Sequence, residues 1–352
     1  MKTQKLEDPP DMPALAAAEI LGRAAEAQEA DARVNQRMVV AQDILRDDLA
    51  WIEASLASAV EAGEVPATHA ARHLVTRGGK RVRPIALLLS AACFGRISPA
   101  AREMAAVSEL VHSATLLHDD VVDEGLERRG APTSRLSWGN AVSVLGGDLL
   151  LVHALSRTQT HAPEVMPDLI ATLRRLVDGE IIQLRGRSEL DVSEATYERI
   201  LRDKTASLFA WSTRTGARLA GASSEAQERM ARFGERLGIA FQLVDDVLDY
   251  SGADTGKTLF TDLREGKLTL PLVLAVARMP ELVQPLKRIY AGDREPVALV
   301  SRAVVESGSC DEVRRRASEH TRAAVDALAT VKPGPARVLL EAVAQQLAAR
   351  AV

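Results

Sequence analysis

Asp119, Asp120 and Asp123 in HDDVVDE, and Asp245, Asp246 and Asp249 in QLVDDVLDY, share one spacing, DDxxD, in opposite halves of the chain. On a helix each residue advances about 100°, so the first and third acids of each set lie one turn apart on one face. Leu116, Leu117, Val121 and Val122 flank the first set, and Phe241, Leu243, Val244, Val247 and Leu248 flank the second, which marks both helices as otherwise buried. Carboxylates clustered in an apolar wall repel one another and are costly to desolvate, so they require a compensating cation. Oxygen ligands with no His or Cys between them suit Mg²⁺, which keeps several waters and bridges carboxylates to a phosphate. One DDxxD alone is commonly a solvated helix face. Two copies, each framed by apolar residues, point instead to a magnesium-diphosphate clamp formed by two facing helices.

Basic residues add to this pattern. GGKRVRP sets Lys80, Arg81 and Arg83 between two glycines and Pro84. At such a loop-to-helix junction, backbone N–H groups and cations together suit a diphosphate. Arg128 and Arg129 follow the first acidic helix, where guanidinium groups can hold phosphate oxygens bidentately. Lys204-Thr205, Lys257 and Lys267 supply further donors. Taken singly, His112 reads as a hydrogen-bonded core histidine and Lys257 or Lys267 as a solvated side chain; the set as a whole changes that reading.

The elements that must position these groups are helical. Ala, Leu, Val, Arg and Glu dominate the 352 residues, aromatics make up 3%, and turn signals at strand-like spacing are missing. The expected fold is all-α: a single large helical domain with a central cavity between the two acidic helices, made of roughly a dozen helical segments. Breaks between segments are expected at, among others, Gly146-Gly147 and Gly186 to Asp191, and helix starts at Ser98, Ser193 and Ser223 or Ser224. Residues 1–38 read as a flexible N-terminal extension, with a weak helix from Ala14 to Ala30, ahead of a domain over 39–352. The net charge of −4, with both signs interspersed, offers no nucleic-acid surface. Cys93 and Cys310 suggest reduced core thiols in a cytoplasmic protein, and no apolar run is long enough to span a bilayer.

GGKRVRP, VHSATLLHDDVVDE, RRGAPT, GGDLL, GEIIQL, KTASLF, GIAFQLVDDVLDY and GKTLFTDLREGKLTLP occur in the order and spacing of the polyprenyl synthetase family, the trans-type polyprenyl diphosphate synthases. The chain resembles that family from about Val40 to its C-terminus. The resemblance implies an all-trans prenyltransferase that condenses isopentenyl diphosphate with an allylic diphosphate. Asp119 and Asp123 would hold two Mg²⁺ ions and Asp245 a third, supported by Asp120, Asp246 and Asp249. Arg128, Lys204, Thr205, Gln242, Lys257 and Lys267 fall on positions that contact the allylic diphosphate; Lys80, Arg83, His112 and Arg129 fall on positions that hold isopentenyl diphosphate. The resemblance also implies a homodimer.

Product length is expected to follow the depth of the apolar cavity below the first acidic helix. Ala114 and Thr115 stand where short-chain relatives tend to carry aromatic residues, which favours a product of geranylgeranyl length or longer, with Val111, Leu151 or Leu155 as candidate floors. Two departures stand out. Phe260 and Thr261 replace the more usual Gly followed by a small or acidic residue, and a Phe lacks glycine's backbone freedom. The extension before Val40 is not needed by the enzyme core and is a candidate docking segment for another subunit, a membrane-associated prenyltransferase or a protein compartment shell. A non-catalytic regulatory subunit and a class I terpene cyclase are the competing readings.

Overall fold

The computed structural model describes residues 45–61, 64–251 and 260–349. The expected extension over residues 1–38, the start of the helical pattern at Val39, Val40 and Ile44, and Lys257 lie outside them. In chain order come α1 (Arg46–Ala59), α2 (Ala67–Val75), α3 (Val82–Ala92), α4 (Pro99–Val122), a hairpin of β1 (Glu127–Arg128) and β2 (Ala131–Pro132), α5 (Ser134–Trp138), α6 (Asn140–His161) and α7 (Met166–Glu189). Next are α8 (Glu194–Ile200), a wide π turn over Leu201–Ala206, α9 (Ser207–Leu219), α10 (Ser224–Ser251), α11 (Thr261–Arg264), α12 (Leu270–Arg278), α13 (Val283–Tyr290), α14 (Val297–Glu306), α15 (Ser309–Ala327) and α16 (Pro335–Ala349). The all-α expectation holds; the two-residue strands of the hairpin are the sole β pairing among the described residues.

Helix starts follow side-chain chemistry. Ser98 Oγ accepts from the Ala101 N–H at 3.1 Å, with Pro99 in the first turn, Ser193 Oγ accepts from Thr196 N–H at 3.3 Å, and Ser223 Oγ from Ala226 N–H at 3.3 Å. Each satisfies a donor that the helix itself leaves unpaired.

Gly146 and Gly147, expected to break a helix, lie inside α6. A Cβ on Gly146 would stand 3.2 Å from the Ala67 carbonyl oxygen, and one on Gly147 would stand 2.3 Å from His118 Nε2. These glycines therefore serve close packing of α6 on α2 and α4. Gly186 likewise lies within α7, which continues to Glu189.

Two hydrophobic cores organise the helices. The first gathers α1 to α4, parts of α6, α7 and α9, the N-terminal half of α10 (Met230, Phe233, Leu237) and α16. Its axis is α4, where Ala101, Met104, Ala105, Ala106, Val107, Leu110, Val111, Ala114 and Leu117 are fully buried. Such a helix, apolar on nearly every side, belongs in the middle of a bundle. The second core joins Tyr197, Leu201 and Ala206 to the C-terminal half of α10 and to α12 through α15. α10 runs from one core into the other, so the first acidic motif is rooted in the first core and the second motif in the second.

Candidate active site

Both acidic sets sit in the last turns of their helices, α4 and α10. The carbonyl end of a helix carries partial negative charge, so carboxylates there add to an unfavourable field and need cations or donors. For the first set, much of that charge comes from distant segments. Lys204 Nζ lies 3.5 Å from Asp119 and pairs more tightly with Glu180, and Lys267 Nζ lies 3.0 Å from Asp123 and 2.6 Å from Glu265. Burial works against both ammonium groups. For Lys204 it is outweighed by Asp119, Glu180 and Asp123, and for Lys267 by Asp262, Asp123 and Glu265, so both stay charged above the ordinary lysine range. Arg128 donates twice to Asp120 Oδ1, from Nε at 2.9 Å and Nη2 at 2.7 Å. Asp120 is the more buried partner, 1% exposed against 32% for Arg128, and burial raises its pKa despite the guanidinium.

The hairpin sets the arginines. Its two loop residues, Arg129 (φ 54°) and Gly130 (φ 71°), both take left-handed backbone, the arrangement that suits a tight two-residue turn. Arg128 thereby reaches Asp120 on one side, while Arg129 donates to the Gly78 and Leu74 carbonyl oxygens on the other.

Lys204 and Thr205 are presented by the π turn, a rare helical form found often at functional sites. Glycines make room for it on both sides. A Cβ on Gly179 of α7 would stand 2.9 Å from Lys204 N, and one on Gly238 of α10 would stand 2.7 Å from Ala206 Cα. Arg175 pins the turn by donating to Asp203 at 2.8 Å, and Thr205 Oγ1 donates to Gln242 Oε1 at 3.1 Å.

In the second acidic set, Asp246 and Asp249 accept hydrogen bonds from neutral donors. Asp246 accepts from Tyr197 Oη at 2.8 Å, Gln242 Nε2 at 2.9 Å and the Leu270 N–H at 3.0 Å. Burial nevertheless pushes its carboxyl up to about 7, because these donors only partly replace water. Asp249 accepts the N–H groups of Thr261 at 3.0 Å and Asp262 at 3.2 Å. Phe260, just before them, occupies the left-handed region at φ 60°, ψ 29°, the conformation that glycine adopts readily. Phe260 thus holds a backbone form that suits glycine, at a cost of about 1–2 kcal/mol. Asp245 is half-buried on the same helix.

GGKRVRP forms the wing beside α4. Lys80 is exposed. Arg81 is a buried structural residue, donating to Glu53 at 2.5 and 2.8 Å and to Glu109 at 2.5 Å. Arg83 stacks over the Phe209 ring at 4.4 Å to the centroid, its Nε has no hydrogen-bond partner, and burial lowers its pKa to about 10, which leaves it cationic at neutral pH. Burial and then the neighbouring Arg83, Arg129, Arg128 and Arg81 hold the His112 imidazole well below its usual range, hence neutral. Gly79 lies against Arg129 Nη2, 3.2 Å from where a Cβ would be.

Of the expected site residues, Asp119, Asp120, Asp123, Arg128, Lys204 and Lys267 are joined by the ion pairs above, and Thr205, Gln242, Asp246 and Asp249 by hydrogen bonds. Val111 and Ala114 are fully buried in α4, Thr115 Oγ1 donates to the His112 carbonyl oxygen at 2.8 Å, and Leu151 and Leu155 are half-buried against the same core. Glu180, Glu109, Tyr197, Asp262 and Glu265 were not singled out. Glu180 and Glu109 had a readable signal, since an acid inside an apolar run needs a partner.

A cleft of about 470 Å³ lies elsewhere, lined by Trp51, Ser55, Glu103, Arg157 and His161. Glu103 is 16 residues before Asp119 on α4, roughly 24 Å along the helix, and Arg157 already pairs with Glu103 and Ser55. That cleft is separate from the acidic site.

Among the described residues, no three His, Cys, Asp or Glu side chains stand ready to ligate one ion. The donor set still fits a hard divalent cation: paired carboxylates one turn apart on each of two helices, with cationic side chains alongside that suit a diphosphate.

The polyprenyl synthetase family profile matches residues 66–307. The all-trans-nonaprenyl-diphosphate synthase (geranyl-diphosphate specific) of Rhodobacter capsulatus is 40% identical over 263 residues, 73% of this chain and 81% of that protein. The octaprenyl diphosphate synthase of Escherichia coli K12 is 35% identical over 304 residues, 85% of this chain and 94% of that protein. A solved polyprenyl synthase from Caulobacter crescentus CB15, complexed with calcium and isoprenyl diphosphate, superposes with a TM-score of 0.83 at 34% identity, covering 90% of this chain and 98% of the other. The all-α frame with two acidic helix ends and these matches lead to one assignment: the chain belongs to the polyprenyl synthetase family and is a prenyltransferase of the polyprenyl diphosphate synthase kind.

Proposed function

We propose that the chain condenses isopentenyl diphosphate with an allylic diphosphate and repeats the step to give a linear all-trans polyprenyl diphosphate of geranylgeranyl length or longer. The observation that carries this reading is the way Lys204 and Lys267 reach the first acidic helix from segments near the second. That arrangement supports one site of carboxylates and cations at the seam of the two cores.

Asp119, Asp123 and Asp245 are the residues to hold magnesium, three ions per site, with Asp120, Asp246 and Asp249 fixing their surroundings. Magnesium, when bound, neutralises the diphosphate and makes it a better leaving group. Arg128, Lys204 and Lys267 stabilise the negative charge that grows on the allylic diphosphate as its bond to carbon breaks. Thr205 and Gln242 supply neutral donors beside them, and Lys257 belongs to the same set by its place in the sequence motif. Lys80, Arg83 and Arg129 hold the acceptor's diphosphate, with neutral His112 as a further donor, so that its double bond meets the allylic carbon without a bimolecular search. A proton then leaves the new chain, most simply to the departed diphosphate.

The small size of Ala114 and Thr115, one turn before Asp119, and the similarity to nonaprenyl and octaprenyl synthases support the longer range. Val111, Leu151 and Leu155 are the candidate floor. Pairing into a homodimer is supported by apolar side chains exposed on adjacent helices: Leu145 and Val152 on α6, and Ile170, Val177, Ile181 and Leu184 on α7. The cytoplasm is the proposed place of work; no described helix is long and apolar enough to cross a membrane. Residues 1–38 are the proposed docking extension.

The test is incubation of the purified chain with Mg²⁺, radiolabelled isopentenyl diphosphate and allylic starters of increasing length, followed by sizing of the dephosphorylated products. A ladder beyond geranylgeranyl that disappears with chelator is the expected result. No elongation from any starter would contradict the reading.

A further inference from the structure

Phe260 is a bulky residue held where left-handed backbone favours glycine. Its surroundings account for its persistence there. The ring packs against the second core and lies 6.0 Å, centroid to centroid, from the Tyr250 ring at an angle of 57°. Tyr250 is in turn fixed, 5% exposed, with its hydroxyl 3.2 Å from Thr269 Oγ1. The Phe260 N–H closes onto the Asp249 carbonyl oxygen at 3.1 Å, and the next two N–H groups turn onto the Asp249 carboxylate.

From Phe260 an unbroken set of backbone bonds runs to Lys267. Arg264 N–H donates to the Phe260 carbonyl oxygen at 3.1 Å, Glu265 N–H to Thr261 at 2.9 Å, Gly266 N–H to Leu263 at 3.2 Å and Lys267 N–H to Asp262 at 2.8 Å. Leu263, fully buried, anchors this turn in the second core. At its far end Lys267 meets Asp123 on the other acidic helix. The segment 260–267 is therefore one physical link between the two acidic clusters, beside the π turn that carries Lys204 and Thr205, and Phe260 sets where it begins.

We propose that Phe260 is a positioning residue for diphosphate and metal binding: packed on Tyr250, its ring holds the left-handed turn that aims the Thr261 and Asp262 amides at Asp249 and sets Lys267 against Asp123. The inference rests on the reading of this cleft as a diphosphate site. It differs from a merely structural role in its consequence, because loss of the ring loosens ligand binding at the acidic clusters while the helical body stays folded.

The test compares Phe260→Ala, Phe260→Tyr, Tyr250→Leu and the double variant Phe260→Ala/Tyr250→Leu with the natural chain in three measurements. Calorimetry reads the binding of inorganic diphosphate with Mg²⁺, hydrogen exchange reads the peptide spanning 260–267, and initial rates give KM for the allylic substrate separately from kcat. Phe260→Ala is expected to weaken diphosphate binding and raise KM roughly tenfold, the scale of lost support around a metal site, with kcat within about twofold and faster exchange confined to 260–267. Phe260→Tyr restores the natural values, Tyr250→Leu reproduces the loss, and the double variant adds little beyond the larger single effect. Unchanged binding and exchange in Phe260→Ala would overturn the inference, as would faster exchange spread evenly over all helices. A natural chain without prenyl transfer would count against the proposed function, while binding and exchange would still decide the role of Phe260.

Discussion

The two acidic clusters share a spacing and differ in how their charge is managed. At the end of α4, cations meet the carboxylates: Lys204 at Asp119, Arg128 at Asp120 and Lys267 at Asp123. At the end of α10, Tyr197, Gln242 and the Leu270 N–H hold Asp246, and two further backbone N–H groups hold Asp249. A charged partner can exchange its carboxylate for a phosphate oxygen with little change in local structure, because charge and donors are conserved in the exchange. Backbone donors cannot leave without unwinding the segment that carries them. On the proposed function, Asp119, Asp120 and Asp123 are thus arranged to take part in ligand exchange, while Asp246 and Asp249 fix the segments that carry their donors.

That contrast can be broken by substitution. Asp119→Asn and Asp123→Asn should each lower kcat about 100- to 1,000-fold, the usual cost of losing a group that stabilises developing charge. Asp246→Asn, which keeps an acceptor for Tyr197, should cost roughly tenfold. Initial rates of prenyl transfer decide; equal losses at Asp119 and Asp246 would remove the distinction.

Asp246 also makes the contrast visible without turnover. Its carboxyl binds a proton more tightly folded, at about 7, than unfolded, at about 3.9. This favours the native state fully below the unfolded value, and the advantage is lost as pH rises through 7. In chelator, the stability of the natural chain should fall relative to Asp246→Asn as pH rises between about 4 and 8. Denaturant melts of both proteins at several pH values would reveal it, and parallel curves would contradict it.

Gly238→Ala and Gly179→Ala sharpen the comparison from the side of the π turn. Each Cβ presses on the backbone near Lys204, so a stability loss of about 1–3 kcal/mol is expected, with a higher KM for the allylic substrate. A smaller effect is expected at Gly125→Ala, where the Cβ meets Asp120 Oδ1 at a tolerable 3.3 Å. Melts and KM values measured side by side order the three.

Much of this arrangement was legible in the sequence, for a physical reason. Carboxylates inside apolar runs must be compensated, so the two DDxxD sets declared themselves, and the helix period and serine caps placed them on helices. Other features depend on tertiary contact. Arg81 and Arg83 read alike in GGKRVRP, yet Arg81 is spent on Glu53 and Glu109 while Arg83 keeps a buried Nε without a hydrogen bond. Lys267 follows the second motif in sequence and meets the first in space. Gly146 and Gly147 looked like a break because glycine disfavours helix, but close approach of α2 and α4 is the reason for them. Phe260 broke a local backbone rule, and the packing of its ring on Tyr250 outweighs that rule.

The most direct test of the account is a titration of Mg²⁺ with inorganic diphosphate, by calorimetry, into the natural chain, Asp119→Asn and Asp246→Asn. Binding abolished in Asp119→Asn and weakened no more than about 100-fold in Asp246→Asn is the predicted result. Binding retained in Asp119→Asn, or lost first in Asp246→Asn, would contradict the assignment of the α4 cluster as the exchanging half of the site.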